Sequence, residues 1–246
     1  LNFNLRLSSK VKFFFKKLLP SVLSSGVTQI NILVGTIIAS FQTGAVSYLY
    51  YADRIYQINL AIAGIAVGTV SLPVLSKAFK MKNVKKISNI QNKSFELSLL
   101  FSIPASFGLI LASNEIVNAL FGYGSFSLKD VEMTAAALTF FGYGVPAFAL
   151  IKILSNFFFA RDNTKTPFYI SSLIVFFNIL ISVSLFNKVG FIIIPIATSI
   201  STWAGVVIYL YLLNRKKILL LKNQLIMNFI KILILTIAMS LILLFS

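Results

Sequence analysis

The sequence predicts an all-α membrane protein with about seven transmembrane helices. Of its 246 residues, 58% are hydrophobic and 11% are charged, whereas charged residues make up roughly 25% of a typical soluble domain. Apolar runs alternate with short polar segments, and a run of about 20 helical residues crosses the hydrocarbon core. Backbone groups in lipid must hydrogen-bond within their own segment, so these runs are expected to be helices.

The predicted helices follow one another with short connections. Seven apolar runs are expected to span the membrane, at residues 19–41, 45–75, 94–112, 131–159, 167–186, 190–213 and 225–245. A short helix that Gly122 ends is expected at residues 114–121, because glycine stops helices readily. The chain therefore divides into three parts: a basic interfacial helix at 1–18, a six-helix lobe at 19–213, and a connector with one further helix at 214–246.

Basic residues set the predicted orientation. Most of the 22 Lys and Arg residues lie before the first span and after the second, fourth and sixth spans, while the opposite loops carry Lys129 and Lys188. The positive-inside rule places the first group in the cytoplasm. The net charge of +16 could indicate a nucleic-acid partner, but its concentration in loops on one side of the spans argues against one.

Composition also limits the chemistry. The chain has no Cys and no His, which excludes disulfides, thiolate catalysis and the usual ligands of zinc and haem. No P-loop, dinucleotide-binding motif or pair of carboxylates within one span is present. We therefore expect a transporter, with no catalytic residues, no cofactor and no bound metal.

Asp53 and Arg54 stand out because they interrupt an apolar and aromatic part of the second span. Charged residues within spans are costly and usually face a bundle interior or a wet cavity. Arg54 could bind phosphate or carboxylate there, or the pair could form structural ion pairs with another helix. On a helix, Asp53 can reach Gln57 and Arg54 can reach Tyr50.

Three further polar residues are candidates for the same cavity. Lys152 lies in the fourth span and either extends to the interface or adds a second cation to the cavity. Gln29 and Asn31 lie in the first span. They are interpreted as interhelical hydrogen-bonding residues or, alternatively, as part of a polar cavity lining.

Several segments resemble the lipid II flippase family called MurJ or MviN, within the multidrug/oligosaccharidyl-lipid/polysaccharide exporter superfamily. The similar segments are residues 29–34 (QINILV), 47–54 (SYLYYADR), 64–69 (GIAVGT), 72–76 (LPVLS), 121–126 (FGYGSF) and 160–167 (ARDNTKTP). The resemblance implies two six-helix lobes followed by two more helices. This chain would form the second lobe plus the thirteenth helix of that fourteen-helix fold, and it is expected to be incomplete at both ends.

The resemblance also implies a function. The family moves lipid II, an undecaprenyl-pyrophosphate-linked peptidoglycan precursor, to the outer leaflet of the bacterial cytoplasmic membrane by alternating access. Partners would be lipid II, membrane lipids and the first lobe of the same protein. Asp53 and Arg54 match the second lobe's contribution to the cavity, so Arg54 would contact the headgroup. The alternatives are another exporter of the superfamily, for a drug or a polysaccharide lipid, and a non-transporting membrane scaffold.

Two departures from the family pattern concern ions. Many members have an acid at the position of Gly35, linked in some of them to a cation site between the first, fifth and sixth spans. Asn178 and Thr198 could still line such a site, but they carry no carboxylate. Gln57 and Asn59 stand where a Glu and a Pro are frequent. We therefore expect no tight sodium site at the first span.

Overall fold

The computed structural model describes residue 11, residues 26–27 and residues 29–245. Apart from Val11, the predicted interfacial helix at 1–18 lies outside the described residues, as does the start of the first span. The helices are α1 (Gln29–Ser40), α2 (Ala45–Leu60), α3 (Val67–Lys80), α4 (Val84–Leu111), α5 (Ser113–Phe121), α6 (Leu128–Phe159), α7 (Lys165–Val189), α8 (Ile193–Arg215) and α9 (Asn223–Phe245). A π-helical segment, Ala61–Ala66, joins α2 to α3 without a break. The described part of the chain contains helices and connections but no strand.

The described helices include five that are long and apolar enough to cross a membrane. One of them, Lys165–Arg215, is 51 residues long and reverses at Gly190, where the backbone has φ 76°. Such a φ suits glycine, which has no Cβ to clash. The two halves, α7 and α8, then pack side by side as a hairpin. The all-α membrane prediction is confirmed, including the short helix α5.

The observed helices extend beyond the apolar runs. The third predicted span begins at residue 94, whereas α4 begins at Val84. Asn83 caps this end, because its side-chain oxygen accepts a hydrogen bond from the Lys86 backbone N–H at 2.9 Å. Hydropathy identifies only the part of a helix that lies in lipid. The prediction therefore did not include the polar first turns of α4, residues 84–93.

Helix α6 is the central helix of the bundle and packs against α2, α4 and α8. It contains Pro146, which has no N–H and leaves the carbonyl of Gly142 without its usual helical donor. The Ser106 hydroxyl of α4 donates to that carbonyl at 2.7 Å. From α8, Ser199 Oγ donates to Phe140 O at 2.7 Å and Trp203 Nε1 donates to Tyr143 O at 2.9 Å. The segment around the proline is thus held from both sides.

Replacing Ser106 with alanine is expected to destabilise the bundle by about 1–2 kcal/mol, because it leaves the Gly142 carbonyl unpaired in a buried position. Reversible unfolding of the detergent-solubilised protein measures the change. Ser98→Ala is the matched control, since Ser98 lies on the same helix, is fully buried and has no hydrogen-bond partner for its hydroxyl among the described residues. Equal losses for both variants would show that the Ser106 bond does not stabilise α6.

The long helix formed by α2 and α3 approaches α6 closely at two glycines. A Cβ at Gly64 would lie 3.0 Å from the Ala149 Cα, so a larger residue there would push the two backbones apart. At Gly68 the carbonyl accepts a hydrogen bond from Asn156 Nδ2 at 2.8 Å. Small residues allow such close helix packing in membranes. Gly64 lies within the π-helical segment, a type of irregularity that often occurs near functional sites.

The orientation predicted from loop charges can be tested by cysteine labelling. Lys85, Ser125 and Lys217 are exposed, and the native chain has no cysteine to react. With an impermeant thiol reagent added outside intact cells, Ser125→Cys is expected to label, whereas Lys85→Cys and Lys217→Cys are expected to stay protected until the cells are opened. Labelling of Lys85→Cys but not of Ser125→Cys would reverse the orientation.

Candidate functional site

Helix α2 directs its two charged residues to different surroundings. Asp53 is partly buried and lines a cavity within the bundle, whereas Arg54 is exposed on the outer face of the helix. Adjacent helical residues point about 100° apart, since a turn takes 3.6 residues. The two side chains therefore belong to neighbouring but separate environments.

The local contacts of both residues agree with the helical spacing. Gln57, one turn after Asp53, donates a hydrogen bond from Nε2 to the Asp53 carboxylate. The Arg54 guanidinium lies over the ring of Tyr50, with Cζ 4.7 Å from the ring centroid. Stacking on an aromatic face holds a guanidinium while leaving its N–H donors free for other acceptors. Arg54 is thus an oriented cation on an exposed surface.

The face of α2 around Arg54 is otherwise apolar. Tyr50, Ile58 and Ile62 are 54%, 62% and 51% exposed, and with Arg54 they follow one another at intervals of four residues. This spacing places them along one side of the helix. Arg54 is therefore a cation within an apolar, exposed strip of the bundle.

The cavity beside α2 has a volume of about 300 Å³. Its described lining comes from α1, α2, α6, α7 and α8, and includes Asn31, Gly35, Thr36, Tyr50, Asp53, Tyr56, Phe141, Asn178, Ile194 and Thr198. Among these described lining residues, Asp53 alone carries a charge. The cavity therefore joins a carboxylate to amide and hydroxyl groups from three other helices.

Aromatic and amide groups line the cavity together with the carboxylate. Tyr56 stacks on Phe141, with ring centroids 4.7 Å apart, and also contacts Phe148 at 5.2 Å. Asn31 Oδ1 is buried and has no hydrogen-bond partner among the described residues. Among the described residues it is thus an unpaired acceptor beside the cavity, whereas most buried polar atoms are paired.

Asn178 and Thr198 bond to each other across the α7–α8 hairpin. Asn178 Nδ2 donates to Thr198 Oγ1 at 2.8 Å, and Thr198 Oγ1 donates to the Ile194 carbonyl at 2.7 Å. Ser182 Oγ donates to Asn178 Oδ1 at 3.2 Å. These groups satisfy one another, whereas hard cations need several converging oxygen ligands. The described residues also contain no group of three or more acidic side chains able to hold a metal ion.

The remaining candidates lie away from the cavity. Gln29 is exposed near the start of α1, and Lys152 is exposed on α6, where its Cγ lies near the Gly64 position. Gly64 follows Arg54 by ten residues, roughly 15 Å along a helix. The structure thus brings Asp53, Asn31, Gly35, Asn178 and Thr198 together, with Arg54 beside them, but leaves Gln29 and Lys152 outside the lining.

Sequence reasoning did not identify Thr36, Tyr56 and Phe141 as lining residues. Tyr56 lies one turn after Asp53, and helical spacing could have placed it beside the carboxylate. Phe141 comes from α6, and nothing in the linear sequence brings it to α2. Its place depends on how the helices pack, which a hydropathy pattern does not contain.

The fold is similar to that of solved transporter structures. "Lipid II flippase MurJ, inward closed conformation" superposes with a TM-score of 0.79 and 31% identity, covering 94% of this chain and 48% of that one. An outward-facing multidrug resistance MATE family transporter of the MOP superfamily superposes with a TM-score of 0.71 at 16% identity, covering 92% and 51%. The chain therefore has the fold of one helical lobe of a MOP-type exporter.

The chain belongs to the lipid II flippase MurJ family, whose model matches residues 2–246. A probable lipid II flippase MurJ of Rhizobium tropici is 38% identical over 202 residues, which are 82% of this chain and 38% of the relative. The corresponding protein of Rickettsia prowazekii (strain Madrid E) is 39% identical over 208 residues, 82% and 41% of the two chains. The chain thus spans roughly two-fifths of the length of these relatives.

Membership of this family and the apolar helices together give the location. The chain is a multi-pass protein of the bacterial cytoplasmic membrane. The prediction of location is therefore confirmed, as is the family that the segment around Asp53 and Arg54 indicated.

Proposed function

We propose that the full-length protein moves lipid II from the inner to the outer leaflet of the cytoplasmic membrane, and that this chain supplies one lobe of the transport pathway. Support comes from the family to which the chain belongs and from its relatives in Rhizobium tropici and Rickettsia prowazekii, which are probable lipid II flippases. In this proposal the first lobe of the same protein completes the pathway, with lipid II and membrane lipids as the other partners.

The observation that carries the proposal is the exposed, stacked Arg54. A pyrophosphate is a dense anion with several acceptor oxygens, and a guanidinium matches it with paired N–H donors. Contact with Tyr50 at 4.7 Å orients that guanidinium, and the apolar face around it suits a lipid-linked substrate. Arg54 is assigned the pyrophosphate contact, with Lys152, which is exposed near Gly64, as a second cation on the same route.

The cavity that Asp53 lines has a different role in this proposal. Asp53 lies in it with Asn31, whose oxygen has no hydrogen-bond partner among the described residues, and both groups favour hydrogen-bond donors over phosphate. Asp53 would therefore keep the anionic part of the substrate on the Arg54 side of α2. Asn178 and Thr198 would serve as cavity lining and as the link between α7 and α8, rather than as ligands of an ion.

Alternating access explains why one lobe alone is only part of the machinery. In transporters built from two bundles, the substrate site lies between them and opens to either side as they rock. The α2 face with Arg54 is the exposed surface that such a partner lobe would approach. Charged groups in spans normally face such an interior.

Substrate-dependent stability distinguishes this proposal from a drug or polysaccharide-lipid exporter. The purified full-length protein is expected to unfold at a higher temperature with lipid II, because a ligand that binds only the native state stabilises it. Lipophilic cationic drugs and an undecaprenyl-linked polysaccharide precursor are expected to leave the unfolding temperature unchanged. Stabilisation by the drugs and not by lipid II would contradict the proposal.

A further inference from the structure

The connector between α8 and α9, residues 216–222, lies against the start of α4. Gln91 of α4 is fully buried and bonds this connector twice: its Nε2 donates to Ile218 O and its Oε1 accepts from the Leu220 N–H, both at 3.0 Å. One amide thus replaces the backbone partner that an extended segment would find in a sheet.

Asn92 and Ser88 continue the same pattern. Asn92 Nδ2 donates to Leu220 O at 2.7 Å, and Asn92 Oδ1 accepts from the Lys222 N–H at 2.9 Å. Ser88 Oγ also donates to Leu220 O, at 2.9 Å. These bonds join parts of the chain about 130 residues apart and fix the position of residues 218–222 relative to α4.

The fixed connector and α4 enclose a surface groove of about 330 Å³. Its described lining consists of Val84, Lys85, Ser88, Leu220, Leu221 and Lys222. Two of these residues are cations, and none of the described lining residues is acidic. Lys222 Nζ donates to Asn89 Oδ1 at 2.6 Å, which is a neutral acceptor and leaves the charge of the ammonium in place.

The rim of the groove is apolar. Val84 and Leu221 are 63% and 46% exposed beside the two lysines. Helix α9 begins directly after Lys222, and Ile226, Ile230 and Ile234 on it are 62%, 50% and 61% exposed. Positions 226, 230 and 234 are spaced by four residues, so they lie along one side of α9, and Lys222 directly precedes this helix. A cationic groove thus continues into an apolar track.

We propose that this groove binds the headgroup of an anionic phospholipid of the cytoplasmic leaflet, with the phosphate between Lys85 and Lys222 and an acyl chain along α9. The groove lies at the end of the bundle that loop charges assign to the cytoplasm, where basic pockets recognise anionic headgroups. A soluble phosphate would use the lysines but not the apolar rim. This inference does not depend on the proposed transport activity.

The test measures lipid binding to the full-length protein in a non-ionic detergent. Dansyl-labelled phosphatidylglycerol and phosphatidylcholine are the probes, and dansyl anisotropy gives their affinities. The protein is expected to prefer phosphatidylglycerol. The double variant Lys85→Gln/Lys222→Gln is expected to bind it about 30-fold more weakly, which corresponds to about 2 kcal/mol for two lysines near a membrane surface, with no change for phosphatidylcholine.

The matched control is Lys77→Gln/Lys80→Gln, which removes two exposed lysines from the last turn of α3 and leaves the groove intact. It is expected to bind phosphatidylglycerol as the native protein does. Excess inorganic phosphate is expected to displace little of the bound lipid. Equal weakening by both double variants would show diffuse attraction to basic loops. Full displacement by phosphate would show a simple anion site, and either result overturns the proposal.

Discussion

Arg54→Ala in the full-length protein is expected to abolish growth when the native protein is depleted. In the proposed function, the variant loses charge-assisted hydrogen bonds to the substrate, and such bonds contribute about 1.5–3 kcal/mol each, or roughly tenfold to more than a hundredfold in binding per bond. Arg54→Lys is expected to restore growth only in part, because an ammonium cannot make a paired contact with phosphate. Complementation and membrane levels of each variant are the measurements.

The structure offers a matched control for this prediction. Arg215 is also exposed but lies at the end of α8, outside the cavity lining and away from α2. Arg215→Ala is expected to support normal growth, and both alanine variants are expected to reach normal membrane levels because neither removes a buried group. Normal growth with Arg54→Ala would show that transport does not require a contact between Arg54 and the substrate.

The 246-residue chain expressed alone is expected to enter the membrane but not to replace the full-length protein. Alternating access needs two bundles around a shared site, and a lone lobe leaves Arg54 facing lipid, which is costly. Co-expression of this chain with the first lobe as a separate polypeptide is expected to restore at least part of the growth. Growth after depletion is the measurement.

Complementation by this chain alone would have two explanations that crosslinking separates. Ile58 is exposed one turn from Arg54 on the same face, and the chain has no native cysteine. Efficient disulfide crosslinking of Ile58→Cys between two copies would show that a homodimer imitates both lobes. Complementation without crosslinking would contradict the two-lobe account.

Much of the fold could be predicted from the sequence because lipid imposes a simple rule on the backbone. Each long apolar run must be helical, so the spans follow from hydropathy, and the end of the short helix α5 follows from Gly122. The water-exposed start of α4 did not follow, since its Lys-rich turns look like a loop by hydropathy. Its helical state rests on the Asn83 cap and on the contacts of Gln91 and Asn92 with the connector.

Within the candidate site, the sequence could predict only the contacts between side chains on the same helix, which helical spacing determines. The Asp53–Gln57 and Arg54–Tyr50 contacts follow from a separation of four residues and are confirmed. The sequence could not predict that Asp53 lines the cavity while Arg54 is exposed, because this difference depends on which helices cover α2. The same holds for the bond between Asn178 and Thr198, which depends on the reversal at Gly190.

The central claim is that the full-length protein transfers lipid II across the membrane through the surface that carries Arg54. Reconstitution of the purified full-length protein in liposomes with fluorescent lipid II tests it most directly, with a membrane-impermeant quencher reporting movement between leaflets. We expect transfer of lipid II but not of a fluorescent phospholipid by the native protein and by Arg215→Ala, and at least tenfold slower transfer by Arg54→Ala. Equal rates for Arg54→Ala and the native protein, or equal transfer of the phospholipid, would contradict the account.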